Sequence, residues 1–315
     1  MPRLRWAFGI VLVLSVFAVG PVSAWEPSRP ITIVVGFTAG GGTDIIARAL
    51  ANASQSFFPV PIVILNKGGA AGTTAAAEVA RAEADGHTLM MGGGSESTSV
   101  GAYRQLPYDI RKDFRPILRA TSNPQLLVVA QNSAHKSVAQ LVEKAKAEPE
   151  RVNFGSSGHG SLVHATSDMF AKRADIKLQA VPYQGGAPAL LAVIAGQIDF
   201  VFSALDEVQG HLEAGTVRAI AVARPARLPS HPEVPTLREL GYDVVGDNMK
   251  GLVAPAGLSD EAYNYLHERF KKGLESKSWQ EFAKRSKFET EYLDGPAFQK
   301  AMADLFAQIE SAVKK

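Results

Sequence analysis

The feature that most constrains this chain is the run Ile31 to Ala47, ITIVVGFTAGGGTDIIA. Its opening residues are mostly apolar and β-branched, the composition of a strand buried on both faces of a parallel sheet. Gly40, Gly41 and Gly42 end that strand. Thr43 and Asp44 suit the cap or first turn of a helix, and Ile45, Ile46, Ala49 and Leu50 recur at helical spacing. Strand, glycine turn and helix make a βα unit, which commits the chain to an α/β architecture.

Such a turn leaves backbone N–H groups open at the positive end of a helix, with no Cβ in the way of an anion. No lysine follows the glycines, so this is not a P-loop, and the third glycine of the dinucleotide fingerprint is absent. Taken alone, the turn reads as a plain βα connection ahead of a binding site for a phosphate or a carboxylate. A second copy bears on that choice. The strand Leu178 to Tyr183 ends in Gln184-Gly185-Gly186-Ala187-Pro188, and a helix covers Ala189 to Ala195 with Pro188 in its first turn, where it costs no hydrogen bond. Two such turns, one in each half, point to two lobes that offer helix N-termini to a shared cleft.

The rest of the chain fits that plan. Strands at Val60–Leu65 and His87–Met91, with an alanine-rich helix from Ala70 to Ala84 between them, complete β-α-β-α-β, a parallel doubly wound layer. The third strand ends in Gly92-Gly93-Gly94-Ser95, at the sheet edge where open α/β sheets bind ligands. Strand pieces at Arg115–Thr121 and Leu126–Ala130 are interrupted by Asn123-Pro124, where the chain crosses into its second domain. A helix from Ser137 to Ala147 follows, capped by Ser137. A short strand, Val152–Gly155, then enters the small-residue loop Ser156-Ser157-Gly158-His159-Gly160-Ser161 before a helix from Leu162 to Lys172. Strands at Ile198–Leu205 and Val217–Ala223 flank a helix from Asp206 to Glu213. Arg224–Pro235 is a proline-rich connector, Gly251–Ala254 a strand, and helices from Ser259, Ser278 and Pro296 close the chain around a last strand at Glu289–Leu293.

With 315 residues, 46% of them hydrophobic, the chain is long enough for two domains with large cores. Arg3 and Arg5, the apolar run Trp6 to Val19 and the small residues Val22-Ser23-Ala24 read as a secretory signal peptide over residues 1–24. Its removal leaves 31 basic against 31 acidic residues, so no nucleic-acid partner is expected. The absence of cysteine excludes a thiol nucleophile and a cysteine-bound metal.

Single residues carry two readings each. Asp44 caps its helix or accepts from a ligand amine; Tyr183 is a pocket wall or a core aromatic with a wet tip. Ser95, Ser156, Ser157 and Ser161 bind a carboxylate or cap helices. Lys250 neutralises a second carboxylate or is solvated in a loop. His159 and His164, five apart, do not share a helix face, so a metal site is not expected and a packed histidine is the default. Gly155-Ser156-Ser157-Gly158-His159 misses the G-x-S-x-G pattern at its last position, leaving a serine hydrolase with Ser157 as nucleophile only a runner-up.

Five segments together resemble the substrate-binding proteins of the tripartite tricarboxylate transporter family, also called the Bug family, over essentially the whole chain after residue 24. They are Arg29–Val35 with Ala39–Asp44, Asn66–Gly72, Gly155–Gly158 with Ser161 and His164, Val181–Leu190, and Val234–Gly241. Phe37 and Thr38 stand where many members have proline or serine, and Met249 and Lys250 where many carry tryptophan followed by Gly or Arg-Gly. The resemblance implies two Rossmann-like α/β lobes of the type II periplasmic-binding-protein kind with a ligand cleft between them. Combined with the crossings above, lobe 1 is expected over 25–123 and 226–315 and lobe 2 over 124–225. It further implies a non-enzymatic periplasmic receptor, monomeric and without cofactor or metal, cleaved near Ala24, that delivers a small organic carboxylate to a membrane permease; a receptor for a membrane signalling protein is the alternative. The binding set expected on this basis is Phe37, Thr38, Ala39, Gly40, Gly41 and Asp44 from the first turn, Ser95, Ser156, Ser157, Ser161 and His164, Tyr183, Gly185, Gly186 and Ala187 from the second turn, and Asp206.

Overall fold

A computed structural model describes residues 25–183, 185–286 and 290–314. The expected signal peptide lies outside the described residues, as do Gln184 of the second glycine turn, Lys287 of an expected helix and Glu289 of the last expected strand. The opening unit folds as read: β1 (Ile31–Val35) leads through the glycine turn into α1 (Gly42–Ser54). After β2 (Ile62–Asn66), α2 (Thr73–Val79) is shorter than the expected Ala70–Ala84 helix. Residues 70–72 form a 3-10 turn in which Ala71 and Gly72 have φ of 57° and 87°, values no α-helix takes. β3 (Thr88–Gly92) and the short helices α3 (Ser95–Thr98) and α4 (Val100–Tyr103) follow, and β1 lies between β2 and β3, parallel to both.

The two strand pieces expected around Asn123-Pro124 are one strand of 17 residues, β4 (Phe114–Ala130). Next come α5 (Val138–Ala147), β5 (Asn153–Ser156), α6 (Leu162–Ala174), β6 (Gln179–Pro182), α7 (Gly186–Ile194), β7 (Phe200–Ala204), α8 (Leu205–Glu213) and β8 (Val217–Val222). The connector then returns the chain to β9 (Asp247–Pro255), longer than expected, followed by α9 (Asp260–Glu275), α10 (Lys277–Ser286), β10 (Thr290–Asp294) and α11 (Gly295–Val313).

The strand pairings give two mixed sheets, β2-β1-β3-β9-β4-β10 and β8-β4-β7-β5-β6, that share β4. Pro124 sits where β4 changes partners. Its neighbour in register is Asp247, the first residue of β9, and the next residue, Gln125, already pairs with Ala204 of β7. A residue without an N–H is harmless at the seam between two ladders, which explains why the proline does not break the strand.

The strand faces sort the core. Ile31, Ile33 and Val35 of β1 pack with α1, α9 and α10 around Phe270 and Trp279, while Val34 joins the larger cluster that includes Phe154, Phe200, Phe202 and Phe298. Helix starts are capped as their sequences suggest: Ser137, Ser161 and Ser259 accept from Gln140 N, His164 N and Ala262 N, and Asp294 accepts from Ala297 N.

Leu127 lies mid-ladder on both sides, opposite Phe202 of β7 and Ala221 of β8. In chemical denaturation, L127P should cost about 3 kcal/mol or more, whereas P124A at the seam should stay within about 1 kcal/mol of the parent.

Candidate functional site

Three helix starts, those of α1, α7 and α8, face one cavity of about 410 Å³ between the two sheets, a size suited to a small metabolite. Each start leaves first-turn N–H groups without intrahelical partners, and none of the three has a side-chain cap. The glycine turns supply two of these starts. The third follows β7 directly, without glycine, and carries Asp206 and Glu207 in its first turn.

Of the residues expected from sequence, the cavity is lined by Phe37, Thr38, Gly40, Gly41, Ser95, Ser157, Gly185, Gly186, Ala187 and Asp206. Ser95 is also a bridge: its Oγ accepts from Leu162 N at 3.0 Å, joining the end of the first layer to the start of α6. The other expected residues are placed elsewhere. Ala39 is exposed on the turn. Asp44 is 2% exposed and clamps the first turn, accepting from Gly40 N at 2.8 Å, Arg48 Nε at 3.0 Å and Asn66 Nδ2 at 2.9 Å. Burial alone would raise its pKa; the bonds from Arg48, Gly40 and Asn66 outweigh that and hold it below the usual carboxylate value.

Ser156 is fully buried, Ser161 caps α6, and Tyr183 packs half-buried against the core. His164 belongs to a separate cluster, with Nε2 3.5 Å from Asp168, which also accepts from Tyr103 Oη at 2.7 Å. Burial lowers the His164 pKa against the pull of Asp168, and the ring of His159 packs edge-on against it.

Residues not foreseen complete the wall. Leu162, Val163, Leu190, Leu191 and Ile45 make it apolar, and Thr43, Gln125, Glu207, His211 and Asn248 add polar groups. Gln125 was legible as the polar residue directly before the apolar run LLVVA, and Glu207 as the second of two acids at a helix start. Neither signal says which way the side chain points.

The electrostatics turn on Lys250. Expected either to meet a ligand carboxylate or to be solvated in a loop, it lies within β9, 1% exposed, and its Nζ donates to Asp206 Oδ2 at 3.0 Å. No lysine or arginine lines the cavity among the described residues. The two acids instead reach toward the glycine turns. A Cβ on Gly42 would come within 2.6 Å of Asp206 Oδ2, and one on Gly186 within 2.5 Å of Glu207 Oε2. A side chain at either glycine would have to displace the carboxylate in front of it. Burial, and then the Asp206 charge beside it, push the Glu207 carboxyl up to about 7.

Because that pKa is raised on folding, ionised Glu207 weakens the folded state: the penalty is absent below about pH 4.5, grows as the pH rises to about 7 and is level above it. E207Q should therefore melt with the parent near pH 4.5 and be more stable by about 1–2 kcal/mol at pH 8. Thermal melts of both proteins across that range check the sign.

The family model described as "Tripartite tricarboxylate transporter family receptor" matches residues 46–315. BugT of Bordetella pertussis is 31% identical over 282 residues, 88% of this chain and 86% of BugT. Among solved structures, Rpa4515 of R. palustris with adipate superposes at a TM-score of 0.83 with 30% identity, covering 91% of this chain and 97% of the other. MatC from Rhodopseudomonas palustris with bound malate does so at 0.81 with 28% identity, covering 91% and 100%.

Proposed function

The chain belongs to the tripartite tricarboxylate transporter family of receptors, and we propose that it captures a small organic acid in the cleft between its sheets, in the periplasm, for delivery to a membrane permease. Its fold is the two-lobed α/β fold of the family's solved structures, and it is a solute-binding receptor rather than an enzyme. The hydrolase alternative around Ser157 falls with that membership.

The observation that carries the ligand class is the convergence of uncapped helix starts on one cavity. Pre-oriented N–H groups of α1 and α7, together with the hydroxyls of Thr43, Ser95 and Ser157, would hold a carboxylate without a cationic side chain. Family resemblance supports the same class, since MatC was solved with malate and Rpa4515 with adipate. Contacts come from both sheets, so binding would favour the closed arrangement, as in a hinge.

A thermal-shift panel of mono-, di- and tricarboxylates and amino acids, with phosphate and neutral sugars as controls, tests the class. At about 100 times its dissociation constant an acid should add roughly 2.7 kcal/mol of stability and raise Tm by several degrees. Shifts with sugars or phosphate alone would reject it. G186V, which forces a side chain into the Glu207 carboxylate at the second turn, should weaken the best acid at least about tenfold, read by calorimetry. Unchanged affinity would remove that turn from the site.

A further inference from the structure

We propose that the α8 end of the cavity is a receptor for an ammonium group, so that the ligand is a small amino-substituted organic acid rather than a di- or tricarboxylate. The inference rests on the carboxylate-receptor reading and names the other end of the same ligand.

Asp206, Glu207 and Gln125 lie together: Gln125 is in register with Ala204, two residues before Asp206, and all three line the cavity. The free valences of the two acids are acceptors, and the Gln125 amide offers an acceptor oxygen beside its two N–H donors. Asp206 has a side chain only 9% exposed; its Oδ2 accepts from Lys250, while its Oδ1 is buried without a hydrogen-bond partner. Gln125 is 1% exposed and its Oε1 also has no partner. Glu207 has Ser203 Oγ at a long 3.4 Å. A buried acceptor without a donor is an unmet requirement, and a ligand that supplies the donor gains what water would otherwise provide.

The sign of the field selects the donor. Lys250 answers one of the two acids and does not line the cavity, leaving this end, among the described residues, with His211 but no lysine or arginine to meet a second ligand carboxylate. Such a carboxylate would be a third anionic group beside Asp206 and Glu207, and like charges this close repel. An ammonium group has the opposite sign and three donors. The carboxylate of the same ligand then falls to the uncapped starts of α1 and α7 and the hydroxyls of Thr43, Ser95 and Ser157, so the polarity of the cavity matches a zwitterion.

The test is calorimetric titration of the purified chain at pH 7.5 with matched sets of straight-chain acids of four to six carbons. Each set holds the monocarboxylate, the dicarboxylate, the ω-amino acid and the 2-amino derivatives of the first two. The expected result is that an amino-substituted acid binds at least about tenfold tighter than the dicarboxylate of the same length. E207Q and the paired change D206N/K250M, which leaves no charge of that ion pair buried alone, should each erode the preference about tenfold. Acids that bind with no preference for the amino group, or a preference that survives both variants, would overturn the proposal while leaving the carboxylate receptor intact. If no acid of any set binds, the proposal falls, and the carboxylate receptor falls with it only where the wider panel of mono-, di- and tricarboxylates also gives no shift.

Discussion

The molecule depends on a single strand being shared by two sheets. β4 is long enough to be flanked by β9 and β10 along its first half and by β7 and β8 along its second, so one of the two chain crossings between the lobes is an unbroken strand, the other being the connector between β8 and β9. A cavity then forms at the seam, where the partners change and the sheets diverge. Gln125, the first residue past the seam, lines it; so does Asn248, opposite Asn123. Relative motion of the lobes has to bend β4 at that level, which couples the shape of the cavity to the geometry of the strand.

Helix dipoles set the chemistry around the seam. Three uncapped starts would make an unbalanced positive region, and Asp206 and Glu207 offset it from within. The cost is a crowded pair of acids, eased for Asp206 by Lys250 and for Glu207 by a raised proton affinity. A buried ion pair of this kind is poor evidence of stability, because desolvation offsets most of the attraction; here it turns Lys250 toward Asp206, which lines the cavity while Lys250 does not.

Much of this was legible before the fold was known, and the reasons differ by element. The glycine turns at 40–42 and 185–186 announce themselves because a buried β-branched run followed by glycines and helical spacing has few other solutions. The continuity of β4 was hidden, since Pro124 reads as a strand breaker unless one knows that two ladders meet there. Ser95, Ser157 and Asp206, expected in the binding set from the family resemblance, line the cavity. His164 and Asp44 come from the same expectation, but local partners occupy them: Asp168 lies beside His164, and Gly40, Arg48 and Asn66 surround Asp44. Lys250 was ambiguous because a charge in an unpaired segment looks solvated; only the strand β9 and its distant partner on α8 make it a buried cation.

The close approach of Asp206 to Gly42 and of Glu207 to Gly186 also limits how such a chain can change over generations. A side chain gained at residue 42 or 186 meets a carboxylate at once, and Asp206 lost alone strands the lysine behind it. The viable routes begin with Glu207, whose removal opens space at Gly186 and leaves no buried charge unanswered. New ligand preferences should therefore arise first on the α7 side of the cleft, with the α1 side following only when residues 206 and 250 change together.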